Sequence, residues 1–455
     1  MNKETIVAIA TPVGCGGVGV IRCSGSDTFS IINKIFSKPI SDIDANRIIF
    51  GEIREENNKT IDQVLVSVFK SPKSYTGENL IEISAHGNMI ILEDIIKLCI
   101  KNGARMATPG EFTLRAFLNG KMDLSQAEAV NDLIKAQTET SKNIALRQLE
   151  GKLANIINQL DRQMLEMTAT IEASIDFPED VIEPDYHNLL KKIEDIIKKI
   201  ENLLKSNQNA FVFREGISMA IVGSVNVGKS SLLNNFLRKE RAIVTHIAGT
   251  TRDTLEEVIN IKGIPVYTVD TAGIRETEDI IEKIGIERSC LALNKSDLVL
   301  CIFDQSRPLT KEDKEIFYKT KHKKTIAVVN KIDCKTEYAL EIRNFIKSNS
   351  DVSIVEISTF DNDSIDNLKD ILYNSFIKSY VSTENITITN QRHMELLNMT
   401  KESLLKATET LKNQLPLDFV SIDIAGARNF LGTITGTNSH EKLLDFIFGE
   451  FCIGK

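Results

Sequence analysis

An eight-residue stretch near the middle of the chain restricts the fold more than any other feature. Residues 223–230 read G-S-V-N-V-G-K-S and match the phosphate-loop pattern G-x-x-x-x-G-K-[ST] at every fixed position. Residues 217–222 are mostly apolar and β-prone, and residues 231–237 have helical spacing, which is the strand–loop–helix context that such a loop requires. The stretch therefore predicts a nucleotide-binding α/β domain.

The residue types in this loop suit the binding of phosphate groups. Glycines let the backbone curl so that its N–H groups point at one phosphate cluster, and the N-terminus of the following helix adds partial positive charge. Lys229 supplies a cation to the β- and γ-phosphates, and the Ser230 hydroxyl can ligate Mg²⁺. Asn226 lies inside the loop, where its amide oxygen can bind a monovalent cation.

Later motifs indicate that the nucleotide is GTP. Residues 265–269 read as a strand that ends in D-T-A-G, where Asp270 suits a water-bridged Mg²⁺ and Gly273 can donate its N–H to the γ-phosphate. Residues 325–329 read as a strand that ends in N-K-I-D, and the Asp333 carboxylate can accept the N1–H and 2-amino hydrogens of guanine. Adenine offers no such pair of donors, so an ATP-using protein would not explain this motif.

Two further segments complete the nucleotide motifs, and one position departs from them. Residues 354–357 read as a strand that runs into Ser358 and Thr359, whose backbone can meet the guanine oxygen, and Thr251 is placed to close on Mg²⁺ as a switch. Ras-like proteins carry a Gln after the D-x-x-G motif to orient the attacking water, but here that position is Ile274. Water must therefore be oriented in another way, or hydrolysis is slow.

Composition limits the number of domains and the compartment. A length of 455 residues predicts about three domains. The net charge of −8 gives no global attraction for nucleic acid, so any RNA contact must be local or shared with a partner. No apolar run is long enough to span a membrane, and the N-terminus lacks a signal segment, which predicts a cytoplasmic protein. The seven cysteines are odd in number and lack C-x-x-C spacing, as expected for reduced thiols.

Before the nucleotide domain the pattern is first α/β. Residues 6–10, 18–22, 64–69 and 80–84 read as strands. A G-x-G-x-x-G match at 14–19 is followed by a strand and not by a helix, so we interpret it as a tight connection between strands and not as a dinucleotide site. Arg22 leaves its strand as a candidate anion contact. Glu82 and His86 are candidate site residues. An equal alternative is that both are solvated residues at the rim.

Helices dominate the remainder of the chain. Thr108 is predicted to cap one helix, S-Q-A-E at 125–128 reads as a capping box, and the helical pattern then continues to residue 175. Residues 189–204 carry an amphipathic stripe that we interpret as bundle core. Further helices are expected at residues 390–411 and from 425 onward. The simplest arrangement is a GTPase domain inserted into a helical domain.

Several stretches together resemble one family, the MnmE (TrmE) family of bacterial tRNA-modification GTPases. They are T-I-V-A at 5–8, G-V-G-V-I-R at 17–22, Y-T-G-E at 75–78, T-P-G-E-F at 108–112, R-A-F-L-N-G-K at 115–121, I-D-F-P at 175–178, the nucleotide motifs, and F-C-I-G-K at 451–455. The resemblance covers nearly the whole chain. It implies an N-terminal α/β folate-binding and dimerising domain at residues 1–118, an all-α helical domain at 119–215 and 377–455, and an inserted Ras-like P-loop GTPase domain at 216–376.

The resemblance also implies a function and partners. The family works as a homodimer with an MnmG-type flavoprotein that uses FAD and NADH, in an α2β2 heterotetramer without membrane attachment. Together they attach a carboxymethylaminomethyl or aminomethyl group at C5 of the wobble uridine, position 34, of certain tRNAs. The one-carbon donor is a tetrahydrofolate, as the 5-formyl or 5,10-methylene derivative. K⁺-dependent pairing of the GTPase domains activates hydrolysis, and Mg²⁺ accompanies GTP.

Carried onto this chain, the resemblance assigns site residues. The folate-contacting positions are Arg22, Glu82, Lys121 and Lys455; the K⁺ ligands are Asn226, Thr245, Ile247 and Thr250; and the Mg²⁺ ligands are Ser230 and Thr251. Glu282 matches the residue that orients the hydrolytic water through a second water, with Arg252 or Arg275 as an arginine finger the rival. The GTP-binding residues are Asn226, Val227, Gly228, Lys229, Ser230, Ser231, Thr245, His246, Ile247, Ala248, Gly249, Thr250, Thr251, Asp270, Thr271, Ala272, Gly273, Asn330, Lys331, Asp333, Ser358 and Thr359.

One assignment has two interpretations, and two positions depart from the family pattern. Cys452 either adds to C6 of the uracil ring, which makes C5 nucleophilic, or packs so that it places Lys455. Ser224 and Val225 replace the usual x-Pro of the phosphate loop, and Asn88 replaces a usual Gly. Two other functions are weighed against this one: an Era-type ribosome-assembly GTPase, and a folate-dependent one-carbon enzyme with a regulatory GTPase domain.

Overall fold

The computed structural model describes residues 4–41, 43–180, 182, 184–206, 210–240, 257–269, 293, 296–334, 336–376 and 388–455. Within these ranges the chain forms two six-stranded sheets and a helical assembly. The predicted class is confirmed: an N-terminal α/β unit, an all-α unit, and an α/β unit around the phosphate loop. None of the described helices has both the length and the apolar character needed to cross a bilayer.

The N-terminal sheet carries two helices on one face, while Phe112 from a later helix packs on the other face beside Ile6 and Ala8 of the first strand. Its strands are β1 (Ile6–Ile9), β2 (Gly16–Ser24), β3 (Arg47–Arg54), β4 (Thr60–Phe69), β5 (Leu80–Gly87) and β6 (Arg105–Met106), in the order 3-4-5-2-1-6. Helices α1 (Thr28–Ile35) and α2 (Met89–Lys101) share a core with alternate strand residues such as Val64, Val66 and Val68. The four predicted strands and the β1–β2 connection are confirmed. Strand β3 was not predicted.

The helices that follow correct three details of the prediction. They are α3 (Glu111–Leu118), α4 (Leu124–Lys135), α5 (Glu139–Leu149), α6 (Lys152–Asp176), α7 (Tyr186–Ser206) and α8 (Phe211–Glu215). Gly110, with φ of 69°, caps α3, so Thr108 is not the cap. The Thr108 N–H and hydroxyl instead donate to Glu111. The capping box of α4 is Asp123 with Gln126, two residues before the predicted one. The expected continuous helix to residue 175 is three helices, because the chain turns at residues 136–138 and 150–151.

The second sheet is parallel apart from one hairpin. Its strands are β7 (Ile217–Val222), β8 (Glu257–Ile261), β9 (Ile264–Thr268), β10 (Leu298–Asp304), β11 (Thr325–Asn330) and β12 (Ser353–Glu356), in the order 12-11-10-7-9-8, with β8 and β9 antiparallel. The described helices beside it are α9 (Lys229–Glu240), α10 (Lys311–Thr320), α11 (Tyr338–Asn349) and α12 (Asn362–Phe376). The carboxyl ends of β7, β10 and β11 lie at one edge, which is where ligands bind in such sheets.

The helical unit is built from two parts of the chain that the second sheet separates. Its later helices are α13 (Gln391–Lys412), α14 (Leu417–Thr435) and α15 (Glu441–Gly449). Helices α6, α7, α13 and α14 share one core, which includes Leu160, Ile193, Leu404 and Val420, so the amphipathic stripe of α7 is confirmed as bundle core. The α14 helix begins at Leu417 and not at the predicted residue 425. The exact domain boundaries stay predictions.

The helical unit contacts the turn of the β8–β9 hairpin. Thr138, the N-cap of α5, donates its hydroxyl hydrogen to the Gly263 carbonyl oxygen at 2.8 Å. Gly263 has φ of 92°, and a Cβ there would overlap the Thr140 side chain. The turn of the hairpin therefore requires glycine and is held against the first turn of α5.

Candidate functional site

The phosphate loop connects β7 to α9 through backbone conformations that favour glycine. Gly223 has φ of 157°, Asn226 of 62° and Gly228 of 102°. A Cβ at Gly228 would overlap the Asn330 side-chain nitrogen, which donates to the Val227 carbonyl oxygen at 2.8 Å. The first residue of the N-K-I-D motif thus packs directly against the phosphate loop, and the loop must be glycine at that contact.

Lys229 is held by the loop that precedes it. Its Nζ donates to the carbonyl oxygens of Gly223 (2.8 Å) and Ser224 (2.7 Å). Burial lowers the pKa of Lys229, while the negative charges of Glu312 and Asp313 oppose that shift. The neighbouring Ser230 is exposed in the first turn of α9, where a hydroxyl and the helix N-terminus suit a metal-bound phosphate.

The predicted guanine-binding residues meet at the same edge of the sheet. Asp333 is exposed and accepts the Ser358 hydroxyl hydrogen at 2.7 Å; this hydrogen bond lowers the pKa of Asp333 and favours its charged form. Lys331 donates to the Asn226 carbonyl oxygen at 3.2 Å. The Thr359 carbonyl oxygen accepts from the Asn235 side chain of α9 at 3.0 Å. The described residues that are predicted to bind GTP, from the loop and from both later motifs, therefore form one connected cluster.

Some predicted residues lie outside the described ranges, and their roles stay predictions. They are Thr245, His246, Ile247, Ala248, Gly249, Thr250, Thr251, Arg252, Asp270, Thr271, Ala272, Gly273, Ile274, Arg275 and Glu282. The set includes three of the four proposed K⁺ ligands, one Mg²⁺ ligand, both candidate arginine fingers and the water-orienting carboxylate.

A second cluster surrounds Arg22 on the face of the N-terminal sheet that α1 and α2 leave open. Arg22 Nε and Nη2 donate to Glu82 Oε1 at 3.0 and 2.8 Å. The guanidinium carbon lies 5.1 Å from the ring centre of Tyr75 and 5.6 Å from that of Phe112. Glu82 is therefore an ion-pair partner and not a solvated rim residue, whereas His86 is exposed and bonds to Asp62.

The segment at residues 448–455 reaches this cluster from the helical unit. Arg22 Nη1 donates to the Gly454 carbonyl oxygen at 3.2 Å. Gly454 has φ of 94°, and a Cβ there would overlap the Ile9 carbonyl oxygen of β1. Burial lowers the pKa of Lys455; the positive charge of Arg22 adds to that shift, and Glu82 opposes it. The structure thus brings Arg22, Glu82 and Lys455 together.

Two other predicted residues lie beside this cluster. Cys452 is partly exposed, and its carbonyl oxygen accepts the Gly110 N–H at 3.4 Å. Lys121 Nζ donates to the Pro72 carbonyl oxygen at 3.1 Å, on the loop that also carries Tyr75. Lys121 therefore contacts the loop over the cluster, whereas Cys452 belongs to the segment that supplies Lys455.

The sequence did not reveal what holds the Tyr75 loop in place. Arg115 is buried and donates to Glu78 Oε2 (3.1 Å) and Glu111 Oε1 (2.9 Å). Burial alone would raise the pKa of Glu111, but hydrogen bonds from Arg105, Thr108 and Arg115 outweigh it and lower that pKa to about 2. All of these residues except Arg105 fall in motifs that carried the resemblance, yet their spacing gave no sign that they pair.

Two family models and the curated relatives each agree over nearly the whole chain. Residues 5–121 match the family model for the GTP-binding protein TrmE N-terminus, and residues 124–452 match that for the MnmE helical domain. The tRNA modification GTPase MnmE of Bacillus licheniformis is 42% identical over 460 residues, which cover 99% of this chain and 100% of the relative. The protein of the same name from Lactiplantibacillus plantarum is 42% identical over 458 residues, which cover 99% and 98%. Among solved structures, Aquifex aeolicus Era bound to GDP.AlF4- is 28% identical, covers 42% of this chain and 67% of that one, and has a TM-score of 0.27.

Proposed function

Because this chain belongs to the MnmE family of tRNA modification GTPases, we propose that it uses GTP hydrolysis to modify the wobble uridine, position 34, of certain tRNAs. The chain is a GTP-hydrolysing enzyme of tRNA modification. The full-length match to this family sets the Era-type alternative aside. The proposed product carries a carboxymethylaminomethyl or aminomethyl group at C5, made together with an MnmG-type FAD/NADH flavoprotein in an α2β2 heterotetramer.

The Arg22 cluster is the observation that carries this proposal. A tetrahydrofolate has glutamate carboxylates at one end and flat rings at the other, so its site needs cations beside aromatic side chains. Arg22 and Lys455 supply the cations, and the partly exposed Tyr75 supplies a ring, while the fully buried Phe112 packs against the Arg22 guanidinium. Glu82 orients the Arg22 guanidinium through two hydrogen bonds. When bound there, 5-formyl- or 5,10-methylene-tetrahydrofolate would supply the one-carbon unit.

The open face of the N-terminal sheet supports a homodimer. Strand register puts Arg22 and Glu82 in one row with Ile48, and puts Phe50 opposite Leu65 in the next row. Ile48, Phe50 and Leu65 are 68%, 55% and 45% exposed, which is unusual for large apolar side chains on neighbouring strands. A second copy that covers this face would bury them and enclose the folate site.

For GTP hydrolysis, the described residues bind and orient the nucleotide. Lys229 binds the β- and γ-phosphates, and Asp333 recognises guanine. Ser230, with Thr251, would hold Mg²⁺, which neutralises phosphate charge. Asn226, with Thr245, Ile247 and Thr250, would hold K⁺ in place of an arginine finger, which contributes a factor of about 10³–10⁵ in rate in other GTPases. Glu282 would orient the attacking water.

Cys452 has two roles open within this proposal. Its thiolate could form a bond to C6 of the uracil ring, so that the electron pair of the C5–C6 double bond moves to C5 and attacks the one-carbon unit. Loss of the C5 proton would then expel the thiolate. Alternatively, Cys452 packs against the N-terminal unit, where its carbonyl oxygen accepts the Gly110 N–H, and this contact positions Lys455.

Mass spectrometry of wobble-position nucleosides tests the proposal. We expect a deletion strain to lack the C5 group, the intact gene to restore it, and Arg22→Ala to restore less than about a tenth of it because Glu82 is left unpaired. Arg162→Ala is the matched control, since Arg162 is 81% exposed on α6. Unchanged nucleosides in the deletion strain would contradict the assignment to the tRNA wobble position. Full restoration by Arg22→Ala would contradict only the assignment of the folate site.

A further inference from the structure

Ser224, the second residue of the phosphate loop, is buried between two charged side chains. Its hydroxyl hydrogen is donated to Asp313 Oδ1 at 2.5 Å, and its oxygen accepts from Arg307 Nη2. Arg307 Nη2 also donates to Asp313 Oδ1 at 3.2 Å. Ser224 is 2% exposed, so this hydroxyl is shielded from water and uses its donor and an acceptor position within the triad. Charge-assisted hydrogen bonds of this kind are stronger than neutral ones.

Asp313 is itself fixed by the helix that carries it. Its second oxygen accepts from the Thr310 backbone N–H (3.0 Å) and hydroxyl (2.7 Å), which forms the capping box at the start of α10. Phe317 of the same helix packs edge-on against Phe303 of β10, with ring centres 5.8 Å apart. Through Asp313, Ser224 is therefore tied to a helix that packs against β10.

A second contact holds the loop two residues later. Lys331 Nζ donates to Asp304 Oδ2 at 2.6 Å and to the Asn226 carbonyl oxygen at 3.2 Å. Between these two attachment points lies Val225, whose side chain is 68% exposed and provides little packing. The position of this arm of the loop thus depends on hydrogen bonds at Ser224 and Asn226.

We propose that Asp313 and Arg307 are positioning residues for GTP binding and hydrolysis. They hold Ser224, and the carbonyl oxygens of Gly223 and Ser224 in turn locate the Lys229 ammonium group. Asp313 is 5% exposed and carries the same sign of charge as phosphate, and Arg307 Nη2 is bonded to Ser224 and Asp313, so both act through the loop. Polar contacts at Ser224 fix a segment whose exposed Val225 would otherwise leave it free to move.

The test measures nucleotide affinity in the purified full-length chain, with a fluorescent GDP analogue as probe. We expect Ser224→Ala and Asp313→Asn each to raise the dissociation constant about tenfold, because the first removes the buried hydroxyl and the second removes the charge of Asp313 and replaces one of its two accepting oxygens with an amide donor. Because the two act as one unit, the double variant is expected to be no weaker than the weaker single variant. Arg307 is 30% exposed in its side chain, so Arg307→Gln provides a variant that should fold even where the others do not.

Thr320→Ala is the matched control for a purely structural role. It removes a buried hydroxyl of α10 that donates to the Phe317 carbonyl oxygen, and it leaves the Ser224–Asp313 hydrogen bond, so it should lower the melting temperature and change nucleotide affinity less than twofold. The proposal is overturned by wild-type affinity in Ser224→Ala or Arg307→Gln. It is equally overturned by Thr320→Ala weakening the binding as much as Ser224→Ala does, and by independent, additive losses in the double variant.

Discussion

The phosphate loop and the Arg22 cluster hold charge in opposite ways. The loop relies on backbone shape: glycine conformations at Gly223 and Gly228 and carbonyl oxygens that hold Lys229. The Arg22 cluster relies on side chains from distant parts of the chain. One of its hydrogen bonds joins Arg22 to Gly454, which are 432 positions apart in the sequence. The loop should therefore be damaged most by adding a methyl group, and the cluster most by removing a charge.

The largest expected effect tests the backbone side of this comparison. Gly228→Ala places a methyl group against the Asn330 side chain in a backbone conformation that disfavours it. We expect GTP turnover to fall by about 10²–10³-fold, which is the loss typical of misplaced backbone donors in active sites. Steady-state phosphate release measures it, with the exposed Val225→Ala as control. Near-normal turnover in Gly228→Ala would show that the loop tolerates the methyl group.

An acid titration tests the contribution of ion pairs in the N-terminal unit. The lowered pKa of Glu111 means that its carboxylate stabilises the folded N-terminal unit fully above its ordinary pKa. That stabilisation, up to about 3 kcal/mol, should be lost as the pH falls from about 4.5 towards 2. Amide hydrogen exchange of β2, compared with that of β10, measures it separately for each sheet. Glu111→Gln should remove this part of the pH dependence, and an identical pH profile in that variant would contradict the assignment.

The smallest expected effect concerns the cation from the far end of the chain. Lys455→Ala removes a half-buried ammonium group beside Arg22, so affinity for 5-formyl-tetrahydrofolate should fall about tenfold while GTP turnover stays within twofold. Isothermal calorimetry measures the binding. Lys442→Ala, at an exposed position of α15, is the control. Parallel losses in folate affinity and GTP turnover would show that the two sites are not built independently.

The same difference explains what the sequence could predict. The GTP motifs are local, so spacing alone predicted the loop and the placement of Asn330, Lys331 and Asp333 beside it. Arg22 and Glu82 were candidates from their strands, but their grouping with Lys455 came only from family resemblance, because no local pattern indicates that Gly454 meets β1. Thr108 was predicted as the cap of α3 because T-P-G-E fits that role. The cap is Gly110 instead, where the Phe448 backbone packs so closely that there is no room for a side chain. Strand β3 was missed because it is a half-exposed edge strand without clear alternation.

The contact between α5 and the β8–β9 hairpin has a mechanical consequence. The turn of the hairpin is hydrogen-bonded to α5 at Gly263, whereas the other ends of its strands lead into residues 241–256 and 270–292, which carry the predicted switch and water-orienting residues. Gly263 and Thr268 are about five residues apart, or ~16 Å in extended chain. Because β9 also pairs with β7, which leads into the phosphate loop, a displacement of α5 would be transmitted along the hairpin and into the sheet that carries the nucleotide motifs.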